Sequence, residues 1–185
     1  MRSRSSMVAG IGMLLAALPL AAQTDYIAPL DGPQSGTASA AVGSAYLTLN
    51  AAEDALTYHV VLEGLDLDGN QTPGDPDDDV SAMHFHNAPA GMNGGIVFGL
   101  ISPNHDTDDL VIDPVAGTLT GIWEITDPTN VAGMDLSDFL DELDGELLYL
   151  NVHTPAFPPG EIRGQVLPVL FADGFEAGDT SRWDL

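Results

Sequence analysis

The stretch Leu147-Leu-Tyr-Leu-Asn-Val-His-Thr-Pro-Ala-Phe-Pro-Pro-Gly-Glu-Ile-Arg-Gly-Gln165 decides the fold. Two β-rich runs, Leu147 to His153 and Glu161 to Val169, flank a Pro/Gly turn, and such a pair reads as two strands. Along the first run Tyr149, Asn151 and His153 recur at every second position, so they share one strand face. Upstream, Met83-His-Phe-His86 is a matching element that sets His84 and His86 side by side on one face.

Working outward, Ala41 to Asn50 alternates as a strand, and Leu56 to Leu62 is β-rich and stops at Gly64. Val80 to Asn87 and Ile96 to Ile101 are two more strands, separated by the turn cluster Ala88 to Gly95. Leu110 to Ile125 holds one or two strands, broken at Gly117 and Gly121, with Trp123 as a core aromatic. From Asp135 to Asp144 the period changes. Leu136, Phe139, Leu140 and Leu143 fall on one helix face, Asp135 or Ser137 caps its start, and Gly145 follows its end. The pattern predicts an all-β chain: a Greek-key-like antiparallel β-sandwich with one short helix before the last two strands. Residues 36–168 form the domain, 23–35 a loose lead-in, and 169–185 a separate tail.

Residues 1–22 read as a signal peptide. Arg2 and Arg4 precede an apolar run from Met7 to Leu20, and small residues end at Ala22. The run is shorter than a spanning helix needs, so the mature chain is expected to have no membrane span and to be secreted, periplasmic or at the cell surface. There is no cysteine, which removes thiol catalysis and thiolate metal sites. The formal charge is −24, and cleavage after Ala22 would take away two arginines and no acid. Such a surface repels nucleic acid and anionic lipid and favours cations or basic partners.

Several side chains could carry chemistry. If the strand ending at His153 lies beside His84 and His86, three imidazoles converge, a donor set suited to zinc or copper. Alternatively they hydrogen-bond neighbouring loops and orient the Pro-rich turn. His59 and His105 have no evident placement. Glu161 and Arg163 stand two apart in a strand and are expected to form a structural ion pair. The acidic loop between Asp66 and Asp79 suggests calcium, with Asp66, Asp68, Asn70, Asp75, Asp77, Asp78 and Asp79 as oxygen ligands. Asp66, Asp68 and Asn70 open with EF-hand spacing, but Gln71 replaces the required glycine and Asp77 the closing glutamate. The alternative is a solvated acidic loop. Asn104 to Asp109 is a second acidic candidate. No nucleophile elbow, phosphate loop or zinc-protease motif occurs, which points away from an enzyme.

Tyr149 to Gln165 resembles the closing motif of the CHRD domain, named for its repeats in chordin and found alone in exported bacterial proteins. Val42-Gly-Ser-Ala-Tyr-Leu-Thr-Leu49 resembles its first strand, Leu56-Thr-Tyr58 with Gly64-Leu65 its second, and His84-Phe-His86 with Ala88 to Gly94 its histidine strand and turn. The resemblance covers roughly residues 36 to 168 and implies a binding or structural role outside the cytoplasm, toward an unidentified protein or extracellular ligand. A likeness of smaller extent is to Cu/Zn superoxide dismutase, through a His-x-His strand and a late histidine. This chain lacks that enzyme's disulfide and a convincing zinc ligand set. The tail, with Asp173-Gly-Phe-Glu-Ala-Gly-Asp179 and Trp183, resembles a short ending on exported proteins of some gammaproteobacteria.

Overall fold

In a computed structural model, residues 23–102 and 105–169 are described. The expected signal peptide and nearly all of the expected tail lie outside them. Ten strands are present: β1 (Thr24–Asp31), β2 (Val42–Leu49), β3 (Ala55–Glu63), β4 (Ala82–Asn87), β5 (Gly95–Ile101), β6 (Val111–Asp113), β7 (Thr118–Glu124), β8 (Leu148–His153), β9 (Ile162–Gln165) and β10 (Leu167–Pro168). They join in one antiparallel sheet of order β5-β4-β8-β9-β1-β2-β3-β7-β6, with β10 paired to β1. Hairpins alternate with crossovers, and the sheet curls into a half-barrel that packs like a sandwich.

Alternation explains the core. Ala45, Leu47 and Leu49 of β2 point inward with Leu56, Tyr58, Val60 and Leu62 of β3, and they meet Met83, Phe85, Leu150 and Val152 from the other half of the sheet. Trp123 of β7 stacks on Phe98 of β5 at 4.6 Å between ring centroids, joining the two halves across the interior. Such a pair adds about 0.5–1.5 kcal/mol beyond area burial.

The helix forms where the period predicted it. A 3-10 turn at Leu136–Phe139 runs into α2 (Leu140–Asp144), and Leu136, Phe139 and Leu143 are buried. Asp135 caps the start: it accepts from the Ser137 N–H at 2.8 Å, while Asp138 accepts from the Asp135 N–H at 2.9 Å. A cap of this kind contributes about 1 kcal/mol. One further helical turn, α1 (Gly32–Ser35), follows β1.

The expected loose lead-in, residues 23–35, is instead largely regular structure. Residues 24–31 are not loose but form β1, which lies inside the sheet between β9 and β2. Tyr26, Ala28 and Leu30 alternate into the core, and the Tyr26 hydroxyl donates to Asp144 of α2 at 2.5 Å. Pro29 hid this strand, since proline lacks the N–H of a central ladder. Here the pairing of β1 on its β9/β10 side is interrupted between Ile27 and Asp31, which accommodates it. Among the described residues no helix is long and apolar enough to cross a membrane.

Candidate metal centre

Strands β4 and β8 are adjacent and buried on both faces. One face of each is core. The other face carries His84 and His86 from β4 and Tyr149, Asn151 and His153 from β8. The register sets His84 opposite Asn151 and His86 opposite Tyr149. Two turns cover this polar face, one from Ala88 to Gly95 and one from Thr154 to Gly160. His84 is 3% and His86 8% exposed.

The expected convergence is present. His84 lies 4.6 Å from His86 and 4.5 Å from His153, ring centroid to ring centroid, and one nitrogen of each lies within 4.8 Å of the others. His86 Nδ1 is 2.9 Å from the Gly94 carbonyl, and His153 Nδ1 is 2.8 Å from the Pro158 carbonyl. A carbonyl only accepts, so each Nδ1 carries the proton and each Nε2 keeps a lone pair. This is the tautomer that metal-ligating histidines take when a carbonyl orients them. His86 Nε2 and His84 Nδ1 are buried with no hydrogen-bond partner. His153 Nε2 accepts from Asn151 Nδ2 at 3.1 Å.

Burial pushes His84 down to about 3, assisted by the neighbouring His153 and His86. Burial also lowers His86, against the opposing bond to Gly94, and lowers His153 against its bond to Pro158. All three imidazoles are therefore neutral donors near neutral pH.

The surrounding shell includes residues whose placement the sequence did not reveal. Tyr149 stacks on His86 at 4.8 Å with the rings 4° from parallel, and the Arg163 guanidinium lies 5.0 Å above the Tyr149 ring. Arg163 Nη1 donates to Asn93 Oδ1 at 3.0 Å and to Met92 O at 3.3 Å, and the Gly94 N–H donates to the Tyr149 hydroxyl at 3.2 Å. The Ala88–Gly95 turn is thus fixed above the histidines. Gly94 is required there, because a Cβ would stand 1.8 Å from the Asn87 carbonyl oxygen.

The expected Glu161–Arg163 ion pair is not formed. Glu161 precedes β9, so strand alternation does not govern it. Its buried carboxylate accepts from Ser39 at 2.6 Å and Thr154 at 2.5 Å instead, tying the chain before β2 to the second turn.

The acidic loop divides into parts. Asp66, Asp78 and Asp79 bring carboxylate oxygens within 4.8 Å of one another, and Asp68, Asp75 and Asp77 stand outside that group. Asp66 is a buried acceptor: its two oxygens take the N–H groups of Asp68, Gly69, Gln71 and Thr72 at 2.7–3.1 Å. Burial would raise its pKa, but these bonds outweigh it and hold it well below the usual carboxylate range. Asn70 bonds only locally to Asp68. Asp75 caps the 3-10 turn Pro76–Asp78 through the Asp77 N–H. Asp79 is raised by burial and by Asp66 and Asp78, and its Oδ1 is buried without a partner.

A further group, Asp106, Asp108 and Asp127, was only half legible. Asp106 and Asp108 lie in the second acidic loop, but Asp127 joins from beyond β7. Asp106 is fully buried and accepts from the Tyr58 hydroxyl at 2.6 Å. His59 and His105 stand apart from the histidine group: His59 faces Tyr46 at 6.4 Å, and His105 is exposed and bridges to Gly99.

Among known proteins, no curated protein matches this chain. The family model described as the CHRD domain matches residues 26–166, from within β1 to just past β9, and includes the three histidines and both covering turns. The chain belongs to the CHRD domain family.

Proposed function

We propose that this chain is an exported, non-catalytic binding module that holds a transition-metal ion, zinc or copper, on His84, His86 and His153. Family membership supports a binding or structural module of extracellular type. The observation that carries the metal reading is the pair of buried nitrogens, His84 Nδ1 and His86 Nε2, without hydrogen-bond partners beside the lone pair of His153. An unsatisfied buried polar group costs about 1–3 kcal/mol, and an ion shared by three lone pairs would recover it. A purely structural role accounts for the Nδ1 bonds of His86 and His153 but leaves these nitrogens unexplained.

Metal content of secreted protein, purified without chelator or affinity metal, tests the reading. Zinc or copper at about 100 times Kd should stabilise the fold by about 2.7 kcal/mol. For a domain of this size that raises Tm by roughly 5–10 °C. His84→Ala should abolish the gain. Absence of both bound metal and a Tm shift sinks the proposal.

One observation favours a second reading, calcium at the acidic loop: the buried, unpartnered Asp79 Oδ1 beside Asp66 and Asp78. Calcium stabilisation would then disappear in Asp79→Asn and survive in His84→Ala. Under either reading the partner is an unidentified protein or extracellular ligand.

A further inference from the structure

We infer that Asn151 is the fourth donor of the histidine centre, through its carboxamide oxygen, which makes the site a closed four-coordinate N3O site for a divalent ion. The inference rests on the metal reading above. Asn151 is 4% exposed and stands opposite His84 in the β4–β8 register. Its Nδ2 donates to His153 Nε2 at 3.1 Å and to Pro159 O at 3.2 Å. Both amide hydrogens are therefore used. Its Oδ1 is buried and has no partner.

The two ends of a carboxamide are nearly the same size, so a half-turn exchanges them without moving the backbone. That half-turn sets Oδ1 where Nδ2 now stands, 3.1 Å from His153 Nε2. Two donor atoms at about 2.0–2.2 Å from one ion lie roughly 3–3.5 Å apart at ligand angles of 90–110°. The separation already present is that of two ligands on a common ion.

An ion on His153 Nε2 also drives the exchange, since amide hydrogens aimed at a cation are repelled and an oxygen is attracted. Gly160 keeps the group in place. A Cβ there would lie 2.2 Å from Oδ1, so the glycine backbone sits directly on the carboxamide and blocks its retreat. Pro159 loses its side-chain donor in the exchange, but Pro159 is exposed and water can replace it. The exchange also puts Nδ2 in the buried position that Oδ1 now holds without a partner, a cost that the bond from Oδ1 to the ion must offset.

Three imidazoles and one carboxamide leave no protein-free position on a tetrahedral ion. Closed sites of this kind hold metal for structure or storage, whereas reactive ones keep a position open. The donor set thus deepens the non-catalytic reading.

Cobalt(II) titration of the metal-free mature chain is the test, because its visible bands report coordination number. Wild type should give intense four-coordinate bands. Asn151→Ala should bind about tenfold more weakly or worse, with weaker bands. Asn151→Asp, which restores an oxygen, should regain the bands and the affinity. Asn151→Ala binding as tightly as wild type with an unchanged spectrum would overturn the inference, leaving Asn151 as a hydrogen-bond cap on His153. Should the variants fold poorly, side-chain NMR of wild type decides. The Asn151 carboxamide resonances must shift on zinc addition, and an unmoved signal in zinc-loaded protein refutes the assignment. Wild type that takes up no cobalt, or His84→Ala that binds normally, would instead remove the histidine centre itself.

Discussion

Replacing Asp127 by asparagine should stabilise this protein at neutral pH. Burial pushes the Asp127 carboxyl up to about 6 from 3.8, and the charges of Asp106, Asp108 and Glu124 add to it, against the opposing bond from the Glu124 N–H. A group raised in the folded state contributes stability below its unfolded value and loses it as pH rises through the folded value. The loss therefore runs from about pH 4 to pH 6, and ionised Asp127 is a net cost above that window. Taken at face value the shift corresponds to about 3 kcal/mol. Asp127 is only partly buried and solvent screens it, so roughly 1–1.5 kcal/mol is expected. Asparagine keeps the contact that matters locally, since its oxygen can still accept from the Glu124 N–H, now 2.6 Å from Asp127 Oδ2. Urea denaturation of both proteins from pH 4 to pH 8, with chelator present to exclude neutralising cations, measures the difference. The variant should be the more stable at pH 7, and the gap should close toward pH 4. Equal stability at pH 7, or a gap that widens on acidification, would refute the electrostatic reasoning.

Two further perturbations probe the turns over the histidine face. Gly160→Ala introduces a Cβ 2.2 Å from Asn151 Oδ1 at a φ of +125°, a conformation reserved for glycine. Strain and displacement of the carboxamide together should cost about 3–4 kcal/mol. Thermal melting should fall by roughly 10 °C, and a near-unchanged Tm would show that the turn relaxes freely. Arg163→Met removes the bonds to Met92 and Asn93 and the contact with Tyr149. It should cost about 1–2 kcal/mol, lower Tm by a few degrees and speed hydrogen exchange in the Ala88–Gly95 turn. An unchanged melt would leave Arg163 free for a binding role.

The fold was legible where one period dominates. Leu56 to Leu62 alternates cleanly, and Leu136, Phe139, Leu140 and Leu143 mark the helical segment because nothing competes with either pattern. Thr24 to Asp31 was not legible: Pro29 vetoes a central strand on local grounds, and only the gap between β9 and β10 lifts that veto. The histidines were legible as candidates because i and i+2 share a face, but their meeting depends on β4 lying beside β8, a pairing between strands 60 residues or more apart in the chain. Glu161 misled for a related reason. Alternation places it beside Arg163 only if β9 begins one residue earlier than it does. Asn151 shared the visible face, yet nothing local distinguishes an orphaned carboxamide oxygen from a solvated one.

The pattern of satisfaction separates Asp66 from the histidine face. Asp66 is saturated with backbone donors and organises its loop whether or not a cation arrives. The histidine face is the reverse: β4 and β8 bury a second face that leaves nitrogen and oxygen atoms without partners. A fold selected for stability alone would fill that space with apolar side chains, so retained polar burial marks a place where stability is given up for something else. On the proposed reading the chain's charge of −24 draws cations of every kind, and selection falls to the donors. Carboxylates suit hard ions such as calcium, and neutral imidazoles suit zinc or copper. A surface rich in the first and an interior holding the second would let one small domain keep a transition metal in the presence of abundant calcium.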